Sequence, residues 1–324
     1  MARKAQVRGI GGYVPDKVLS NADLAEIMDT SDEWIVSRSG IHQRHQAEDS
    51  VMASDLGVIA AQNALAHAGM NIADIDLIVV ATSTPDFAFP ATASVVQHKL
   101  GSSHGAAFDV QAACSGFVYG MSVVTAMLET GQANGALLIG AELMTRLLDW
   151  QDRSTAVLFG DGAGAIVLSA EEDVGADAPH VIKNYIRSEG QFTDLLYATG
   201  SANAAAKDAK IHMQGREVYR HAVTNIAEAV CTLLEMAELE VSDIDWFVPH
   251  QANKRIIDGV ARKIGLPAEK TILTVDHHAN TSAASIPLAL NEAVQNGQIN
   301  AGDLVMTEAM GGGLSWGANL IRWS

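Results

Sequence analysis

Apolar runs rich in β-branched residues alternate along the chain with segments of helical period, which is the pattern of an α/β protein whose strands are buried on both faces. Strands are expected at QVRGIGGYV (6–14), DLIVVATST (76–84), AAFDV (106–110), ALLIGAE (136–142), GAIVLSA (164–170), DWFVPH (245–250), TILTVD (271–276), DLVMTEAM (303–310) and GANLIRW (317–323). Helices are expected between them. One runs from Asp55 to His67 and stops at Gly69; another runs from Ala91 to Leu100, opened by Pro90 and stopped by Gly101.

The pattern also repeats. Asp74-Ile-Asp76, before one strand, matches Asp243-Ile-Asp245 before another, 169 residues later. The same ungapped offset lays AACSGFVYGM, from Ala112, over TSAASIPLAL, from Thr281. Two matches at one offset predict two similar α/β halves, 1–172 and 173–324, with a site in the crevice between them, at strand ends and helix starts. ATGSANAAAKDAK (198–210) reads as an exposed loop of the second half.

Composition narrows the function classes. With 324 residues, 48% of them apolar, the chain can bury a large core. Two cysteines, Cys114 and Cys231, supply no disulfide or zinc framework and fit a reducing compartment. The opening MARKAQVRGIGGYVP reaches a glycine turn and Pro15 before any long apolar stretch, and no apolar run of membrane-spanning length follows. A cytoplasmic protein with no membrane segment is therefore expected. A formal charge of -17 argues against general nucleic-acid binding, although a local basic patch on such a body could recruit an acidic partner.

Candidate chemistry begins at Cys114, between the strand AAFDV and the apolar helix CSGFVYGMSVVTAMLETG. A thiol at a helix start meets free N–H groups that favour thiolate and can bind an oxyanion, but a small thiol packed in the core fits the same segment. His250 ends a buried-type strand just before a new helix, in the repeat-related half. Asn280 opens the helix that mirrors the Cys114 helix, where an asparagine also serves as an N-cap. FGDGAGA and MGGGLSWG lack phosphate-loop or dinucleotide spacing; glycines in the latter allow backbone N–H groups to approach a bound carbonyl.

Together TSDEWIVSRSGIHQRH, DVQAACSGF, FGDGAGA, VPHQANKRI, NTSAAS and GGGLSWG, in order from Thr30 to Gly317, resemble the β-ketoacyl-acyl-carrier-protein synthase III family of thiolase-fold condensing enzymes. The resemblance implies a duplicated α/β fold in five layers (αβαβα) and a homodimer. It also implies decarboxylative condensation of an acyl-coenzyme A primer with malonyl-acyl carrier protein, with no cofactor and no metal. Cys114 would be the acylated nucleophile, with His250 Nε2 and Asn280 Nδ2 as donors to the malonyl thioester oxygen and the N–H groups of Cys114 and Gly312 as the oxyanion hole. Coenzyme A would meet Trp34, Arg38, Arg153, Gly215 and Asn253. Met310 would line the acyl pocket, to which the dimer partner contributes the residue matching Phe89.

Acyl carrier protein is acidic, and the family's docking surface maps to Lys254, Arg255, Arg262 and Lys263, with Arg220 beside them; without the resemblance these charges read as a solvated helix face. Three departures stand out: Ser154 after Asp152-Arg153, Met310 before the triple glycine, and Leu314 where an aromatic is common. A specialised synthase making a quinolone, polyketide or long-chain ketone would share the same three catalytic residues. So would a Cys-His-Asn thioesterase, which would release free acid without malonyl substrate, whereas a noncatalytic acyl-binding protein would form no acyl-Cys114.

Overall fold

Two mixed sheets share most of the chain in the computed structural model, which describes residues 3–172, 175, 178–200 and 209–324. The first sheet has five strands, in the order Arg3–Tyr13, Asp161–Glu172, Gly135–Leu143, Leu77–Ala81 and Ala106–Val110. The last three run parallel; the first pairs antiparallel with its neighbour, which is itself antiparallel to Gly135–Leu143. The second sheet runs Trp246–Pro249, Leu304–Gly311, Ser315–Arg322 and His180–Ser188. Only its first pair is parallel.

Packing makes five layers of these sheets. Helices Gly116–Glu129 and Ser285–Gln295 lie between the sheets, where Phe117, Met121, Ile286 and Leu290 pack against Val79 and Leu138 on one side and Val248 and Val305 on the other. Helix Ala53–Ala68 covers the outer face of the first sheet through Leu56, Ala60 and Ala64. Gly215–Ala237 and Lys254–Ile264 cover the outer face of the second through Ile226, Val230 and Val260. This explains why LIVVA is apolar at every position rather than at alternate ones: Leu77 and Val79 face the central helices, while Ile78 and Val80 face the outer helix. Each such side chain contributes about 1.5–3 kcal/mol by leaving water.

The internal repeat is carried into backbone detail. Asp76 accepts a hydrogen bond from Gly135 N–H at 3.1 Å, and Asp245 accepts one from Leu304 N–H at 2.8 Å, each holding the start of the neighbouring strand. A short 3-10 turn precedes both central helices, Ala113–Ser115 and Ser282–Ala284. Its first residue has a positive φ in each copy, 47° at Ala113 and 51° at Ser282.

The structure departs from the sequence expectations in one strand lost and one gained. TILTVD is not a strand: only Thr271 bridges to Phe247, and the chain then turns into the short helix Val275–His278, so the second sheet lacks a full counterpart of Ala106–Val110. His180–Ser188, whose HVIKNYIRS carries polar residues on an edge, is a strand that periodicity missed. The expected loop 198–210 joins the paired strands Leu196–Ala198 and Ile211–Met213, and its residues 201–208 lie outside the described residues. No described helix is long and apolar enough to cross a membrane.

Candidate active site

Cys114 sits in the 3-10 turn that links strand Ala106–Val110 to the central helix, and it lines a cavity of about 1880 Å³. Burial pushes the thiol up to about 12, and the carboxyl group of Glu142 adds to that shift. The thiolate expected from the helix start is therefore not the resting form: desolvation outweighs the dipole and N–H groups here. The Ser282 hydroxyl faces both Cys114 and Glu142 and eases each in the opposite direction, without reaching hydrogen-bond geometry to either.

His250 lines the same cavity, directly after strand Trp246–Pro249, and is 5% exposed. Its backbone N–H donates to the Glu308 carbonyl at 2.8 Å. Burial pushes the imidazole down to about 3, so the ring is neutral at pH 7. A neutral ring carries one proton, and Ser285 decides where. Ser285 Oγ accepts a hydrogen bond from Gln251 N–H at 3.3 Å and lies 2.6 Å from His250 Nδ1. The Ser285 hydroxyl still has its own proton to give, and when it donates to Nδ1 the single ring proton sits on Nε2.

Asn280 completes the trio on the cavity wall. Its backbone is clamped on both sides by the start of the FGDGAGA segment and the residue before it: Asn280 N–H donates to Leu158 O at 2.9 Å, and Gly160 N–H donates to Asn280 O at 3.0 Å. Its Oδ1 accepts from Ser282 N–H at 2.8 Å, which orients the amide and leaves Nδ2 as the donor for a ligand. Asn280 is not a helix cap, as an asparagine at a helix start could have been: Thr281 holds the cap position of the 3-10 turn and Ala284 that of the helix, and the Asn280 bond spans two residues within the turn. FGDGAGA acts structurally elsewhere too: Asp161 accepts from Ala47 N–H at 2.9 Å and Thr145 N–H at 2.8 Å. A Cβ on Gly164 would lie 2.7 Å from Pro287 Cβ, so only glycine lets the Asn280 helix dock there.

The triple glycine meets Cys114 from the other sheet. A Cβ on Gly311 would sit 2.6 Å from Cys114 N, which makes this backbone approach a glycine-only contact. Gly312 and Met310 both line the cavity. Two buried carboxyl groups, absent from the sequence-based list, belong to the site as well. Glu142 accepts from Ser83 N–H at 3.0 Å and Thr84 Oγ1–H at 2.9 Å, and burial pushes it up to about 7. Glu308 is on the cavity wall with Oε2 buried and unpartnered, and burial pushes it up to about 8. A glutamate inside an otherwise apolar run, as in ALLIGAE and VMTEAM, is the signal that could have found both.

At the cavity mouth, Trp34 and Arg38 share helix Asp32–Ser39, as their spacing predicts. The Trp34 ring is flanked by two guanidinium groups, Arg38 at 4.5 Å and Arg153 at 4.9 Å from its centroid. Arg153 also bonds the Asp29 carboxylate at 3.3 Å. That spacing is too small to hold a flat ring between Trp34 and Arg153, so a planar ligand entering there must displace the guanidinium. Gly215 lines the cavity at the start of its helix. Asn253 lines it too, but both ends of its amide are occupied: Oδ1 caps Arg255 N–H at 2.8 Å, and Nδ2 donates to Arg38 O at 3.1 Å. Phe89 is 86% exposed and does not line this chain's cavity, although Phe87 does.

The expected basic face is less free than the sequence suggests. Lys254 pairs with Asp258 at 2.8 Å, Arg220 pairs with Glu217 at 2.7 Å, and Arg255 donates to Ser37 O at 2.8 Å, tying its helix to the Trp34 helix. Arg262 lines the cavity mouth, and Lys263 reaches only Thr224 Oγ1 at 3.4 Å. Among the described residues Arg255, Arg262 and Lys263 have no acidic side chain in bridging distance, and of these Arg262 and Lys263 are not tied to the Trp34 helix.

Comparison with known proteins places this geometry. Residues 108–190 match the family model for 3-oxoacyl-[acyl-carrier-protein] synthase III, and residues 234–323 match the model for its C-terminal part. The chain is 52% identical over 322 residues to the β-ketoacyl-[acyl-carrier-protein] synthase III of Hyphomonas neptunium, covering 99% of this chain and 100% of the relative. Among solved structures, the 3-oxoacyl-[acyl-carrier-protein] synthase III of Aquifex aeolicus superposes with a TM-score of 0.93 at 42% identity, covering 98% of this chain and 100% of that one. The priming β-ketosynthase of the R1128 polyketide pathway superposes with a TM-score of 0.93 at 34% identity, covering 100% of this chain and 97% of that one.

Proposed function

Since the chain belongs to the 3-oxoacyl-[acyl-carrier-protein] synthase III family, thiolase-fold condensing enzymes that initiate fatty acid synthesis by acyl transfer, we infer that Cys114, His250 and Asn280 divide that reaction between them. The observation that carries this reading is that all three line one cavity, each at a strand end or helix start.

In the first half-reaction, Cys114 Sγ bonds to the carbonyl carbon of an acyl-coenzyme A primer, and the bond to the coenzyme A sulfur breaks. The thiol proton ends on the departing thiol, so the exchange balances. The N–H groups of Cys114 and Gly312 hold the tetrahedral oxyanion. In the second, malonyl-acyl carrier protein enters and loses carbon dioxide. Its thioester oxygen takes up the enolate charge and accepts hydrogen bonds from His250 Nε2 and Asn280 Nδ2, the two donors that Ser285 and Ser282 orient. The resulting carbanion attacks the acyl-Cys114 carbonyl, the β-ketoacyl-carrier product leaves, and the sulfur regains one proton.

Trp34, Arg38 and Gly215 receive coenzyme A, with Arg153 swinging off the Trp34 ring to admit the adenine and Asn253 acting through the backbone it holds. Met310 bounds the primer pocket, and Arg262 and Lys263 lead the docking of acyl carrier protein. No cofactor takes part in this scheme. The chain works as a homodimer in the cytoplasm, its two halves 1–172 and 173–324 each carrying part of the site. Exposed Phe89 and the edge strand Ala106–Val110, paired on one side only among the described residues, support a face covered by a second copy.

The test is intact mass. Incubation with an acyl-coenzyme A primer should add one acyl group on Cys114, and malonyl-acyl carrier protein should discharge it as a ketoacyl product two carbons longer. Asn280→Ala should keep the first mass gain and lose on the order of 10² to 10³ in the second rate. Equal loss of both half-reactions would remove Asn280 from this role, and release of free acid without malonyl substrate would favour a thioesterase.

A further inference from the structure

The segment that leads into Asn280 carries two consecutive histidines, and neither is used by the condensation chemistry. The short helix Val275–His278 sets their rings 4.2 Å apart, beside Glu292 of helix Ser285–Gln295. His277 Nε2 lies 2.8 Å from Glu292 Oε2, and His278 Nε2 lies 3.9 Å from the same oxygen. One ligating atom from each of the three residues falls within 4.8 Å of the others. Four-coordinate ions with ligand bonds of about 2.0–2.2 Å need ligand atoms roughly 3.3–3.6 Å apart, so small side-chain shifts convert this cluster into a coordination triangle.

One further feature fits a metal. His277 Nδ1 is 2.8 Å from the Asp276 carboxylate, the outer carboxylate contact that ligating histidines usually make to fix tautomer and ring direction. We propose that His277, His278 and Glu292 form a binding site for a divalent transition ion of the zinc class, with water in the fourth position. Two imidazoles and one carboxylate suit such an ion and not magnesium or calcium, which prefer all-oxygen shells. The ion takes the place of the proton shared between His277 and Glu292. It ties the residues just before Asn280 to the helix just after it, and so stiffens the turn that aims the Asn280 amide. The site stands apart from the thiol chemistry and needs none of the roles assigned to Cys114 or His250.

Cobalt(II) is the probe, added to the full chain after chelator treatment and removal of the chelator. The expected result is a visible d–d band of tetrahedral intensity that saturates at one ion per chain and is displaced by zinc. His277→Ala and Glu292→Gln, each checked for cooperative thermal unfolding, should each weaken binding about tenfold or more. Should one variant fail to fold, the other decides. The proposal is overturned if the wild-type chain shows no saturable band, if a folded variant binds as tightly as the wild type, or if a near-ultraviolet thiolate-to-cobalt band places the ion on Cys114 or Cys231.

Discussion

At the level of single residues, the active site keeps its reactive groups uncharged by drying them. The Cys114 thiol is pushed up to about 12 and the His250 imidazole down to about 3, each by loss of water rather than by a paired charge. The free protein should therefore alkylate slowly at Cys114. Its iodoacetamide rate, followed on the intact mass of that residue, should climb with pH from 7 through 10 without levelling off. A plateau near pH 7 would mean that the helix start wins over desolvation after all. The neutral His250 also makes its tautomer a functional variable. Ser285→Ala removes the donor to Nδ1 and lets the proton leave Nε2, so malonyl decarboxylation should fall by on the order of 10² while acylation of Cys114 is largely retained. Nitrogen NMR of the imidazole distinguishes this from simple misfolding, because the Nε2–H form should give way to a mixture.

Whole elements, rather than side chains, set the approach of partners. The helix Lys254–Ile264 looks uniformly basic along one face, yet Lys254 pairs with Asp258, and Arg255, though its charge is unpaired, is held in place by the Ser37 carbonyl. Charge in a local pair attracts a third party weakly, whereas Lys263 at the far end has no acidic neighbour in bridging distance among the described residues. Lys263→Glu should raise the Michaelis constant for malonyl-acyl carrier protein about fivefold to tenfold at low salt, with the effect shrinking as salt rises, and leave that for the primer unchanged. An equal rise for both substrates would show that the helix orders the cavity mouth instead of docking the carrier.

For the molecule as a whole, buried acids make folding depend on pH. Glu308 ionises near 8 in the folded chain against 4.5 when free, so the folded state holds its proton more tightly than the unfolded state does. Its contribution is fully present below about pH 4.5 and is lost as pH rises through 8. Glu142, raised to about 7, acts in the same direction. Glu308→Gln cannot ionise, so its urea midpoint should fall less between pH 5 and pH 8 than that of the unmodified chain. Parallel shifts in the two proteins would mean that Glu308 finds water or a partner in solution.

The order of apolar and polar positions determined the layers. Runs such as LIVVA, apolar at every position, can be stable only between two covering layers, and a repeat at one offset brings two such sheets together. The motifs also pointed to Cys114, His250 and Asn280 as residues of one cavity, because a strand end and a helix start are local features, but not to Glu308 on the same wall. Tertiary structure decided what sequence spacing cannot express. Whether TILTVD becomes a strand depends on an edge that only Phe247 offers. Whether the Arg255 guanidinium points outward depends on the Ser37 carbonyl, 218 residues away along the chain. Whether Cys114 is a thiol depends on how much water the second sheet, arriving through Gly311, excludes from it. That exclusion is a property of the assembled layers, and no single segment of the chain contains it.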